Sequence, residues 1–375
     1  MKNKFLFTVI LTSICLLIFV IKTFAQDEYN TQSFKVNKGG NIKLEISGGD
    51  VQVKTGKDNE VKISNSEDDD YNNVTIYQDG NNITIRSDYY TDFVITVPSE
   101  FNLNLNTSGG DVQVLNNIKG RVRISTAGGE IELKDVSGEL TATTAGGNIS
   151  CGNVKGDTKL NSSGGDVVAG SVEGECILNT GGGNVIVKNV TKSLSVSTGG
   201  GNVDCGNVGS DIKVSTGGGN ISVNNISGEM SVKTGGGDIY GNSISKGGSI
   251  MTGAGNVNLN NLSGYVKITS GAGDISAEFV SVGNNKSYIT TGYGNITLYI
   301  PGNAKATITA TVKWAEVWSD KKDISEYILS DFKPSKEDYN KKRGEYHAVY
   351  DLNGGGTRID LETSIGNIEI KKSKR

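Results

Sequence analysis

Proline is nearly missing from this chain: three residues in 375, set against 52 glycines. Collagen-like and proline-rich linker readings fail on that ratio. Histidine occurs once, at His347, so no Ser/His/Asp or Cys/His constellation can form around a repeated site. Of four cysteines, Cys15 lies in an apolar leader, and Cys151, Cys176 and Cys205 are too scattered to supply a zinc cluster. No residue pattern asks for a cofactor. An excess of basic residues is also lacking. Without residues 1–25 the chain carries 34 basic against 41 acidic residues, a net −7. With no Lys/Arg stripe, nucleic acid and anionic membranes are poor partners. The closing Lys371-Lys372-Ser373-Lys374-Arg375 reads as a solvated tail.

Long hydrophobic runs are likewise scarce. There is one, Phe5 to Ile21, after Lys2 and Lys4 and before Thr23-Phe24-Ala25. That order describes a signal peptide cleaved before Gln26. The alternative is retention as an anchor, for which the run is just long enough. Cys15 follows Ile14 rather than a small residue and belongs to the apolar run, not to a lipobox. The expectation is an exported chain with no stable membrane insertion after cleavage.

What is present is a period. The residue after a Gly-rich corner recurs every 18 positions, at Glu130, Asn148, Asp166, Asn184, Asn202, Asn220, Asp238, Asn256 and Asp274. An unbroken period of this length marks a solenoid. Counting that residue as position zero, position 1 is always Val or Ile. Apolar residues favour positions 3, 6, 10 and 12, and Thr or Ser favours position 14, as in Val185, Val187, Val190, Leu194, Val196 and Thr198. Alternation over positions 0–4 and 10–14 predicts two strands per coil, each with one face inward. Positions 5–8 read equally as a third short strand or a corner. The fold class is therefore all-β: a single-chain β-solenoid of 18-residue coils with irregular capping regions. Coils stacked about 4.8 Å apart align like residues, so asparagines at positions 0 and 5 are expected to form side-chain ladders.

The three corner glycines differ. Position 15 accepts Ala127, Ala145 and Ser163, and position 16 accepts Ala254 and Ala272, but position 17 is Gly from Gly129 to Gly273. Such a site needs positive φ or has no room for a Cβ.

The motif also occurs before and after the regular block, at Gly49-Asp50-Val51, Gly110-Asp111-Val112, Gly294-Asn295-Ile296 and Gly366-Asn367-Ile368. The chain accordingly divides into a signal peptide (1–25), N-terminal strands and an irregular cap (26–105), regular solenoid (106–300), an aromatic-rich insertion or cap (301–350), and a final coil with a basic tail (351–375). Residues 57–100 and 301–350 read as interruptions that cover the open ends of the solenoid, where unpaired strand edges invite polymerisation. A short helix is expected within 320–338, centred on Asp323 to Leu329.

Chemistry is sparse. Cys151 and Cys205 share position 3 three coils apart, about 14 Å, which is too far to bridge. All three mature cysteines fall at inward positions. Paired carboxylates offer a carbohydrate-active enzyme as the alternative function, with Asp166 and Asp204 or Asp211, or Asp50 and Asp111, as pairs. A calcium roll needs a carboxylate at every turn, yet position zero is more often Asn. Outward positions carry Ser, Thr, Asn, Lys and Gly, a flat polar wall that suits a spacer or a recognition surface rather than a deep pocket. Candidate partner-binding residues are the aromatics of the insertion: Trp314, Trp318, Tyr327 and Phe332. Their competing role is to cover the last coil.

Segments such as Ser197-Thr198-Gly199-Gly200-Gly201-Asn202-Val203 and Ile226-Ser227-Gly228-Glu229-Met230-Ser231-Val232-Lys233-Thr234 resemble the β-strand-repeat adhesin family of bacterial envelopes. The likeness covers most of 40–300 and again 353–370. It implies an exported or envelope-facing β-helix with an adhesive or scaffolding role toward a protein or glycan, and it supplies no catalytic residue.

Overall fold

Alternation sets the local structure. Val185, Val187, Val190, Leu194, Val196 and Thr198 are all buried, and the side chains between them point away from the core. Branched residues at these positions suit a pleated, half-buried strand. The computed structural model describes residues 29–66, 74–313, 324–340 and 342–373. The signal-peptide expectation for residues 1–25 lies outside them. Among the described residues the fold is almost entirely β, with many short strands in extended, mostly parallel ladders.

Two ladders run side by side. One joins the strands that follow each Gly-rich corner, as Val185–Val190 with Val203–Val208; the other joins the Thr-ending strands, as Leu194–Thr198 with Ile212–Thr216. Register is in phase with the period: Val185 faces Val203 and Leu194 faces Ile212. Between the ladders lies one shared apolar core, which no single repeat could bury alone. Of positions 5–8, left open by the sequence, the first two continue the first ladder. Isolated bridges Val136–Val154–Val172–Val190 extend it to position 6, and the strands Val203–Val208 and Ile221–Ile226 run unbroken to the same position, with positions 7 and 8 forming the bend.

Two columns of polar side chains hold the corner. Thr198 Oγ1 donates to Gly183 O of the previous repeat (2.8 Å) and accepts from Gly201 N–H (3.2 Å), although the side chain is buried. Ser162 and Ser270 make the same upward bond. The hydroxyl satisfies a carbonyl and an amide that the turn leaves unpaired, which explains the preference for Thr or Ser at position 14. At position zero the expected ladder exists in a different form. Asn184 Oδ1 accepts Asn202 N–H (2.9 Å) and Asn202 Oδ1 accepts Asn220 N–H (2.8 Å), so the bonds run from side chain to backbone. Asp serves equally as that acceptor: Asp238 Oδ1 takes Asn256 N–H at 2.7 Å. Where an Asn follows an acid its amide also donates along the column, as Asn148 Nδ2 to Glu130 Oε1 (2.9 Å) and Asn184 Nδ2 to Asp166 Oδ1 (3.3 Å). Side-chain amide ladders do occur at position 5, as Asn207 Nδ2 to Asn189 Oδ1 (2.8 Å).

This bonding makes a direct prediction. Asn202→Asp should leave stability unchanged, whereas Asn202→Ala should cost about 1 kcal/mol by orphaning Asn220 N–H. Chemical denaturation of both variants checks it; equal losses would show that the amide nitrogen matters.

Position 17 is explained by close approach. A Cβ on Gly201 would lie 2.0 Å from Gly183 O, while one on Gly200 would meet nothing within 4 Å. At this position φ is positive only toward the ends of the series, as at Gly110 (103°) and Gly273 (151°).

The ends depart from chain order. Residues 57–100, expected as an irregular interruption, include a further layer, Asn82–Tyr90 with Phe93–Val97. It stacks on the outer side of Gly40–Gly48 and Val51–Thr55. The next layer in sequence, Phe101–Thr107 with Val112–Val114, stacks on the inner side. Antiparallel strands then close this end: Val74–Asp79 on one ladder, Glu60–Ser66 and Tyr29–Lys35 on the other. At the far end Thr357–Ile365 and Ile368–Lys372 slot between the layer of Ser287–Tyr293 and Ile296–Ile300 and the strands Ala306–Val312 and Ile328–Ser330. Glu345–Leu352 and Lys336–Asn340 finish it in antiparallel fashion. The outermost described strands are short or charged, Ile328–Ser330 and Lys336–Asn340, which discourages further pairing. The expected helix is a single 3-10 turn, Ile324–Tyr327, because the residues after it join the ladder as strand Ile328–Ser330.

Candidate functional site

Trp314 and Trp318 lie outside the described residues. Tyr327 and Phe332 are half-buried and pack against the core beside the outermost layer. Lys372 Nζ sits 5.3 Å from the Phe332 ring centre, and Phe332 N–H donates to Ser330 Oγ at 3.0 Å. These two aromatics cover the end of the core; each leaves only part of its ring available to a partner.

The proposed carboxylate pairs separate into two cases. Asp166 Oδ1 accepts Asn184 N–H, whereas Asp211 Oδ1 accepts Glu229 N–H on the opposite ladder's corner. Asp204 is two repeats from Asp166. Asp50 and Asp111 do become neighbours: Asp50 Oδ1 accepts Asp111 N–H at 2.8 Å. Asp92 precedes them and Glu130 follows, bonded in the same way. These four acids form a column that chain order hides, since residue 92 stacks before residue 50. Asp50 and Glu130 are exposed at the corner, Asp92 and Asp111 half-buried, and three of the four spend an oxygen on backbone. A glycosidase pair must flank the scissile bond; these acids instead stack in one line along the Gly-rich corner.

His347 is brought to Thr311, with Nδ1 2.9 Å from Oγ1, while Glu345 Oε2 stands 3.6 Å from Nε2. The order Thr–His–Glu has the outline of a nucleophile, base and orienting acid. The last distance is too long for a hydrogen bond. The strand amides around Thr311 are also engaged in the ladders of Glu345–Leu352 and Thr357–Ile365, leaving none to form an oxyanion hole. Only the antiparallel register reveals the pairing, so sequence reading missed it.

Burial governs the cysteines. All three are free, and desolvation pushes the thiols of Cys151 and Cys176 up to about 12 and that of Cys205 upward as well. A thiol reagent at neutral pH should label none of the three until denaturant is added; rapid native labelling would contradict the fold. The unfolded chain also loses these protons first as pH rises. The thiols' contribution is therefore full below the ordinary value of 9.0 and falls away toward about 12. No group of three or more His, Cys, Asp or Glu among the described residues is placed to hold a metal ion.

The walls carry shallow depressions. Two adjoin on the outer face of the first ladder, about 410 and 500 Å³, and share Tyr240 and Asn258. Tyr240 is 47% exposed, and its hydroxyl donates to Asp238 Oδ2 at 3.3 Å. Partial burial, then the Asp238 carboxylate, push the phenol above its ordinary 10.0, keeping it neutral and a donor. A signal for this residue was present in the sequence: a single aromatic at outward position 2.

The family model of Toastrack DUF4097 matches residues 184–371. Among solved structures, the chain is similar to a "putative adhesin" from Bacteroides fragilis at 17% identity. That match covers 57% of this chain and 97% of the other, with a TM-score of 0.39. It is also similar to a "putative cell adhesion protein" from Clostridium sporogenes at 9% identity, over 92% of this chain and 100% of the other, with a TM-score of 0.14. Likenesses this loose carry no function across. No curated protein matches the chain.

Proposed function

This chain belongs to the Toastrack DUF4097 family, and on that premise we propose that it is an exported β-solenoid that binds or scaffolds an extracellular or envelope protein or glycan without turning it over. The observation that supports this reading is the character of the described walls: period after period of small polar side chains, with shallow depressions and no enclosed cleft around an acid pair. Such a surface recognises by extended contact rather than by engulfing a reacting bond. Among the described residues no helix is long and apolar enough to cross a membrane. The aromatic insertion, with Trp314, Trp318, Tyr327 and Phe332, carries specificity for the main partner in this reading, since uniform walls discriminate poorly.

The test uses the chain from Gln26 onward against a panel of purified envelope polysaccharides and matrix proteins. Saturable binding to at least one is expected, without new reducing or unsaturated ends. Replacing Trp314 and Trp318 with Ala should abolish binding to the tightest-bound member, the main partner, while β-rich circular dichroism persists. Turnover of any polysaccharide, or binding to none of the panel, would sink the reading.

A further inference from the structure

Tyr240 is the only aromatic residue between Phe101 and Tyr265, and it stands where two of the wall's depressions meet. Its ladder neighbours are small: Ser222 on one side and Asn258 on the other. Neither neighbour carries a large side chain beside the ring, which stays 47% exposed. A second outward column runs parallel to it, Asn224, Asn242 and Asn260, after the side-chain-free Gly206. Asn242 Nδ2 donates to Asn224 Oδ1 at 3.0 Å, and Asn224 Nδ2 donates to Asn207 Oδ1 at 3.0 Å. The amides of Asn224 and Asn242 are thus held in one orientation before any ligand arrives. The lining extends along the stack from Asp204 to Glu369, seven layers, or roughly 30 Å at the strand spacing.

We propose that this strip, centred on Tyr240 and the Asn224–Asn242–Asn260 column, is a binding site for a linear neutral glycan lying along the axis of the stack. The proposal rests on the non-catalytic binding reading and adds a second site, distinct from the aromatic insertion.

Three features choose this occupant. An open aromatic face is a platform for the C–H face of a sugar ring, and oriented amides both donate and accept, as sugar hydroxyls do. Charge excludes polyanions: no Lys or Arg lines either depression, while Asp204, Asp274 and Glu369 do. An extended peptide is disfavoured because the strip is a sheet face. Its backbone groups are already paired within the ladder, so strand addition has no edge to use.

Hexasaccharides of glucose, mannose, xylose and N-acetylglucosamine are the neutral probes for calorimetric titration; a hexagalacturonate and a hexalysine are the charged ones. Wild-type chain should bind at least one neutral probe. Tyr240→Ala should weaken that binding about tenfold or more, and Tyr240→Phe should retain it, because the ring face rather than the hydroxyl makes the contact. Tyr240 is exposed enough for both variants to fold, and unchanged melting curves verify this. A chain with Trp314 and Trp318 both replaced by Ala should keep its neutral-glycan affinity even where it loses its main partner. Failure of every neutral probe, preference for hexagalacturonate or hexalysine, or wild-type affinity in Tyr240→Ala each overturns the site. Loss of neutral-glycan binding in the double Trp variant overturns it too, and moves the glycan to the insertion while leaving the general binding function intact.

Discussion

A chain ending at Leu352 will lose its C-terminal end as a folded unit, although only the last strands of the sequence have been removed. Thr357–Ile365 and Ile368–Lys372 are an interior layer, bonded on both sides in both ladders. Ile359, Leu361, Ile368 and Ile370 are all but fully buried, and each is worth about 1.5–3 kcal/mol of burial. Their loss also strips the partner from Ala306–Val312 and Ile328–Ser330, which do not touch the preceding layer directly. The expected result is rapid proteolysis within residues 306–352 and a melting transition that is lower and less cooperative. Truncation after Ser373 should behave as the intact chain. Protease resistance of residues 306–352 in the shortened chain would show that the outer strands can slide inward and restack.

The second large effect is confined to one methyl group. Gly201→Ala places a Cβ 2.0 Å from Gly183 O, a backbone atom that cannot swing aside. The two repeats must separate locally, weakening the adjacent Thr198 and Asn202 bonds, at a cost of about 3 kcal/mol. Gly200→Ala adds its methyl to open space and should shift stability by less than about 0.5 kcal/mol. Urea titrations of the two variants side by side decide the matter, and coincident midpoints would remove the close-approach explanation.

The interior of the fold was legible because its contacts are a constant offset in sequence. Once Val185 is matched to Val203, every inward position follows from alternation. The ends resisted the same treatment for a physical reason. Ile289, Ile308 and Ile359 all have the pattern of a core strand, so each can pair with the others equally well on side-chain grounds. Which one lies in the middle depends on how far the connecting segments reach, and that has no periodic signature. The Asp92–Asp50–Asp111 column was hidden for this reason. At position zero the side-chain ladder was legible only in part: side-chain bonds form where Asn follows an acid, while the bond shared along the column runs from a backbone N–H to the preceding Asn or Asp oxygen. Of the candidate site residues, Tyr327 and Phe332 were found by composition, and their half-burial against the core depends on end-packing that composition does not encode. Tyr240 was readable as an outward aromatic, yet its setting among oriented amides needed neighbouring repeats to be placed side by side.

The relay at the corner has one further consequence. Asn184 caps the backbone of Asn202, which caps Asn220, and each interior repeat gives and receives the same bonds. Excising residues 202–219 would join Gly201 to Asn220 with every donor still facing an acceptor. Length is thus a free parameter of the molecule, adjustable in whole repeats of about 4.8 Å while the two specialised ends stay as they are. The number of repeats is what sets the distance between the two ends.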